Sequence, residues 1–223
     1  MRDFDEIWAI AAARKGGEAA LETLMPQIRT PRELAAIGDD RVLATMTRAV
    51  FSAGFNWKVI EAKWPGFEEA FAGFDPARLM FLDDDDLARL MKDARIVRNG
   101  AKIASVRDNA AFLCALADEY GSAAKAIANW PDDDFIGLVD LLARRGARLG
   151  GTTALYFLRF LGRDGFLLSP DVVAALIREG VIDKAPTSKA ALKAVQAAFG
   201  AWAGASGRPL AHISRTLALS VGA

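Results

Sequence analysis

The stretch GLVDLLARRGARLGGTTALYFLRFLGRDGFLLSPDVVAAL, residues 137–176, decides the fold. From Gly137 to Arg145 the apolar side chains recur at the spacing of one helical face. Leu149-Gly150-Gly151 then turns the chain where side chains would clash, and a second helix follows at once from Thr152 to Leu161. The amides that open this second helix point outward with partial positive charge, a resting place for an anionic phosphate. Gly162 to Leu168 reads as a loop, and Ser169-Pro170-Asp171 carries an acid into the first turn of a third helix.

The flanking sequence repeats the helical theme. Apolar residues at helical spacing predict helices over Phe4 to Arg14 and Glu18 to Ile28, and a short one opened by Thr30-Pro31. The next is capped by Asp39-Asp40 and runs through Phe51. Short helices follow over Trp57 to Lys63, Gly66 to Ala72, Asp75-Pro76 to Phe81 and Asp84 to Lys92, divided by Gly, Pro and Asp. Arg98-Asn99-Gly100 is a turn, after which Lys102 to Tyr120 forms a long helix, and Phe135 to Arg145 leads into the hairpin. With 52% apolar residues in 223, the chain can bury a substantial core. The fold class is all-α.

The N-terminus carries acids from the start and no continuous apolar run, so neither a secretory leader nor a membrane span is expected, and the expected location is the cytoplasm. Cys114 stands alone in an apolar run and reads as core filler. The 28 basic and 28 acidic residues balance, but unevenly along the chain. Acids crowd Asp83 to Asp86 and Asp132 to Asp134, whereas Leu141 to Arg163 holds Arg144, Arg145, Arg148, Arg159 and Arg163 with no acid. A basic face in the C-terminal half follows if these residues cluster, and solvated helix faces if they do not.

A helix, a Gly-containing hairpin, a second helix opened by Thr152-Thr153-Ala154 and closed by Phe160-Leu161-Gly162-Arg163, and Pro170-Asp171-Val172 at the start of the next resemble the helix-hairpin-helix DNA glycosylase core. Upstream, Phe51 to Trp57, Phe67 to Pro76 and Ala94 to Ile103 are similar to the 3-methyladenine DNA glycosylase I family. The resemblance implies a two-lobed helix-hairpin-helix glycosylase fold in one compact domain over 1–223. Its lobes are drawn at 40–135 and at 1–39 with 136–223, and its helix-hairpin-helix at 137–162. It implies a monomer that flips an alkylated purine, 3-methyladenine in the first place, out of double-stranded DNA and hydrolyses its bond to the sugar, with no cofactor and no membrane partner. The competing implication is a non-catalytic protein of the same fold that grips lesions.

The resemblance also assigns roles. Asp171 is the catalytic carboxylate that stabilises positive charge on the sugar, against the plain alternative of a helix cap. Trp57, Phe55, Asn56 and Trp8 bind the base, the aromatic rings by stacking on an electron-poor purine. Arg148, Gly150, Gly151 and Thr152 hold the DNA backbone. The hairpin has no lysine where bifunctional relatives place a Schiff-base nucleophile, which implies a monofunctional enzyme. Two departures stand out. Founding family members bind zinc through cysteines and histidines, and Cys114 and His212 cannot supply four ligands, so no metal is expected. The family's base-reading glutamate, eight residues before the equivalent of Trp57, corresponds to Ala49.

Overall fold

Polar residues that accept a main-chain N–H start most of the helices. Asp3, Thr30, Asn56, Asp75, Asp83, Asn99, Ser122, Ser169 and Ser188 each bond an amide in the first turn that follows them. The computed structural model describes residues 1–221, and these contain helices and turns but no strand. In chain order the helices are α1 (Phe4–Lys15), α2 (Glu18–Glu22), α3 (Pro31–Ala35), α4 (Asp39–Ser52), α5 (Trp57–Ala70), α6 (Pro76–Leu79) and α7 (Asp84–Lys92). They continue with α8 (Gly100–Tyr120), α9 (Ala123–Ala128), α10 (Phe135–Arg145), α11 (Thr152–Leu161), α12 (Pro170–Arg178), α13 (Lys189–Ser206) and α14 (Leu210–Leu219). No helix among the described residues is long and apolar enough to cross a membrane.

The contacts divide the chain into two units. The terminal unit holds Met1–Arg29, Pro131–Gly137 and the chain from Asp164 onward, whereas the central unit holds Thr30–Trp130 and Leu138–Arg163. The sequence drew the lobes at 40–135 and at 1–39 with 136–223. In the structure most of the hairpin region sorts with the central helices instead, and the boundary falls inside α10.

In the central unit α4 packs on α5, α8 and α11. Its aromatic core stacks Trp64 on Phe67 and on Phe74, with ring centroids 5.4 and 5.5 Å apart, and Phe51 meets Phe67 edge-on at 4.8 Å. Two expectations are corrected here. Residues 57–70 form one helix, not two, because Pro65 is accommodated within it and Gly66 is needed for close packing. A Cβ on Gly66 would lie 2.6 Å from the Arg95 carbonyl oxygen. Asp39 does not cap its own helix: its carboxylate accepts the amides of Ala123 and Ala124, so it caps α9 from a distance. The acidic run at Asp83 likewise has a structural use, since Asp83 caps α7 and the next three acids sit in that helix's positive first turn.

In the terminal unit Phe166 stacks on Phe199 at 4.3 Å and packs against Phe135, while Trp202 meets Phe199 edge-on. Gly165 must be glycine, because a Cβ there would lie 2.1 Å from the Phe135 ring. Two acids, Asp164 half-buried and Glu179 buried, tie the segments together. Asp164 accepts the amides of Leu210 and Ala211 at the start of α14. Glu179, with its side chain 1% exposed, accepts from the Arg2 amide, the Arg2 guanidinium and Arg178. Burial pushes the Glu179 carboxyl up, but these hydrogen bonds and charges outweigh it and hold the group below the usual carboxylate range.

A candidate base pocket beside the hairpin

The hairpin is built as its sequence indicates. α10 ends at Arg145 and α11 begins at Thr152, and between them Leu149 is fully buried. Asn109, a buried residue of α8, clamps the turn: its side-chain oxygen accepts from the Ala147 amide at 2.7 Å, and its amide nitrogen donates to the Ala147 carbonyl at 3.1 Å. The clamp adjoins Arg148, which is exposed and holds a left-handed φ of 61° that residues with a side chain seldom adopt. Gly151 takes φ 58° and ψ −131°, a glycine conformation, and no side chain caps α11. Gly150 has no such backbone requirement, and a Cβ placed on it meets nothing within 4 Å. The start of α11 is therefore a strained turn on a rigid support, without a side-chain cap and suited to an anion.

Beside this turn lies a cavity of about 450 Å3. Its walls come from the end of α4 (Ala49, Ser52), the following loop (Ala53, Gly54, Phe55), the first residue of α5 (Trp57), and one face of α11. That face presents Thr152, Thr153, Tyr156 and Phe160. The four aromatic rings are large apolar groups left in the open: Trp57 is 61% exposed, Phe55 48%, Phe160 47% and Tyr156 38%. Such exposure is uncommon for residues that normally fill cores, and a concave site lined by them is suited to a flat aromatic ligand.

The loop that carries Phe55 and Trp57 is anchored from behind by Lys102. Its ammonium donates to the carbonyls of Phe51 at 3.1 Å and Ala53 at 2.7 Å, closing the C-terminal end of α4 where the helix leaves carbonyls unpaired. Burial, and then the charge of Arg148, push the Lys102 pKa down. Asn56 uses its side-chain oxygen to accept the Lys58 amide and so starts α5, which fixes the direction of Trp57 next to it.

The expected site residues are thus distributed unequally. Phe55, Trp57 and Thr152 line one cavity, and Gly150, Gly151 and Arg148 form the turn beside it. Trp8 does not join them. It belongs to the terminal unit, is 8% exposed, and has the Arg208 guanidinium 3.6 Å from its ring centroid, so that face is already covered. Asp171, also in the terminal unit, is exposed in the first turn of α12. The cap of that helix is Ser169, whose hydroxyl accepts the Val172 amide, so the Asp171 carboxylate is not spent on capping. His212 lies 3.1 Å from the Pro26 carbonyl, a structural tie. The expected basic face is reduced by pairing and burial. Arg144 pairs with Asp140 and Arg145 with Glu119, whereas Arg163 is 6% exposed and donates to the Trp130 carbonyl.

Residues 34–137 match the methyladenine glycosylase family. DNA-3-methyladenine glycosylase 1 of Escherichia coli (strain K12) is 33% identical over 58 residues, 26% of this chain, and the match spans only 31% of that protein's length. A crystal structure of a mutant 3-methyladenine DNA glycosylase I from Staphylococcus aureus is 25% identical, with a TM-score of 0.50 over 55% of this chain and 76% of that one. The Methanocaldococcus jannaschii 8-oxoguanine glycosylase/lyase, solved with DNA containing 8-oxoguanine, is 12% identical with a TM-score of 0.52 over 83% of this chain and 82% of that one, a likeness of fold alone. Over residues 34–137, then, the chain carries the sequence pattern of the methyladenine glycosylase family, within an all-α fold of the helix-hairpin-helix glycosylase kind.

Proposed function

We propose that the protein is a monofunctional DNA glycosylase that releases alkylated purines, 3-methyladenine among them, from double-stranded DNA and acts as a monomer. The observation that carries this reading is the single cavity that joins exposed aromatic rings to the hairpin turn. Trp57 and Phe55 stack on the extruded base, and cation–π attraction favours a positively charged purine. The amides of Gly150, Gly151 and Thr152 and the charge of Arg148 hold a phosphate of the backbone, which fixes position without reading sequence. Asn56 orients Trp57 through its cap.

Bond cleavage requires little acid catalysis at a cationic base. The electron pair of the C1′–N bond moves to the departing purine and cancels its charge, and water supplies a hydroxyl to C1′ and a proton to solvent. The transient positive charge on the sugar is the term an enzyme lowers, and Asp171 is the carboxylate assigned to that task. A Schiff-base route needs a free amine at the site, whereas Lys102, behind the pocket loop, is engaged by two carbonyls. The test is release of free base from methylated duplex DNA by the purified chain and by Asp171→Asn. Release by the wild type and not by the variant supports the reading. Binding without release by the wild type would replace it with a lesion-gripping protein.

A further inference from the structure

We infer that this pocket selects for positive charge in the purine ring and not for adenine over guanine, so that N-alkylated cationic adenines and guanines are both substrates. The inference rests on the glycosylase reading above and extends it to substrate class. Of the ten residues that line the cavity, none is an acid or a base at neutral pH. Its polar side chains are the hydroxyls of Ser52, Thr152, Thr153 and Tyr156, and the end of α4 adds Ala49 beside Ser52.

A hydroxyl both donates and accepts. It satisfies the amino group of adenine and the carbonyl of guanine equally, by rotation about one bond. A carboxylate accepts only; in the same place it would reward the adenine amino group and repel the guanine carbonyl. Strong discrimination arises where a buried fixed donor or acceptor is left unpaired by the wrong ligand, and rotating hydroxyls do not impose that penalty. What remains is stacking on Trp57, Phe55, Tyr156 and Phe160, and stacking rewards an electron-poor ring of any outline that fits. The cavity, about 450 Å3, has room for either purine.

Duplex DNA treated with a methylating agent contains 3-methyladenine and 7-methylguanine, both cationic in the strand, so one digest and one chromatogram read both. The wild type is expected to release both, at rates within about tenfold of each other after correction for spontaneous loss. Hypoxanthine, a neutral purine in a parallel substrate, should be released at least tenfold more slowly. Ser52→Asp places an acceptor-only group at the pocket wall and should shift the product ratio toward 3-methyladenine by tenfold or more. Ala49→Glu should do the same, and Ser52→Asp, at a half-buried position, is the variant that perturbs folding less. Release of 3-methyladenine with 7-methylguanine retained overturns the inference while leaving the glycosylase reading intact. Release of neither base overturns both, and release of hypoxanthine at the same rate overturns the charge-based selection.

Discussion

Trp202 and Trp8 of the terminal unit and Trp57 of the central unit are used in opposite ways. In the terminal unit Trp202 is 2% exposed and its indole N–H donates to the Arg2 carbonyl, and Trp8 lies under Arg208. In the central unit Trp57 is 61% exposed beside three further open rings. Burial gives the first pair a structural use that accounts for their chemistry in full. Exposure leaves Trp57 without an internal reason, and a flat ligand is the reason proposed. Within the terminal unit charge is divided in a similar way: Glu179, just after α12, is buried and ties the N-terminus to that helix, whereas Asp171, in its first turn, is exposed and without a capping duty.

This contrast breaks if exchanging the tests exchanges nothing. Trp202→Ala should cost the terminal unit about 4 kcal/mol, from lost burial and an unfilled cavity, seen as a large fall in Tm by calorimetry. Glu179→Gln comes next, at about 2 kcal/mol, less than for a fully buried ion pair because Arg2 and Arg178 are partly exposed. It also alters the acid limb of stability. Since the folded Glu179 carboxyl is held below its ordinary value of 4.5, its contribution is complete above that pH and is lost as pH falls through the folded value. The Gln variant should therefore show a shallower loss on acidification, measured as denaturant midpoints from pH 7 to 3.

Trp57→Ala should do the reverse of Trp202→Ala. Base release falls about 10- to 100-fold, the equivalent of about 1–3 kcal/mol of lost stacking, while the Tm hardly moves. The smallest effect sharpens the hairpin assignment. Gly150→Ala meets no atom within the protein, so stability should hold or rise by about 0.5 kcal/mol. Its Cβ stands where a phosphate is proposed to approach, and affinity for duplex DNA by fluorescence anisotropy should weaken severalfold. Unchanged affinity would remove Gly150 from the anchor.

Much of this was legible in the chain because local chemistry fixed it. The hairpin helices expected to end at Arg145 and to begin at Thr152 do so, and Gly151 supplies the positive φ that the turn between them takes. The break expected between Lys63 and Gly66 was misread because glycine serves two purposes, and here it admits the Arg95 backbone. Trp57 and Phe55 stand in a motif and line the cavity beside the turn, whereas Trp8 was a candidate on residue type alone, and its cover by Arg208 is a long-range contact that periodicity does not contain. Tyr156 and Phe160 were missed as pocket walls, although their spacing from Thr152 along one face of α11 was a usable signal. Lys102 and Asn109 left no signal. A lysine or asparagine on a long helix is ordinarily solvated, and only the fold brings the first to the end of α4 and the second to the hairpin.

The most direct test of the central claim is a paired measurement on methylated duplex DNA: the rate of 3-methyladenine release and the DNA affinity of the wild type and of Asp171→Asn. The expected result is release by the wild type, a fall of about 100- to 1000-fold in the variant, and affinity equal within about twofold. Equal release by both proteins would contradict the role of Asp171, and tight binding by both without release would contradict catalysis itself.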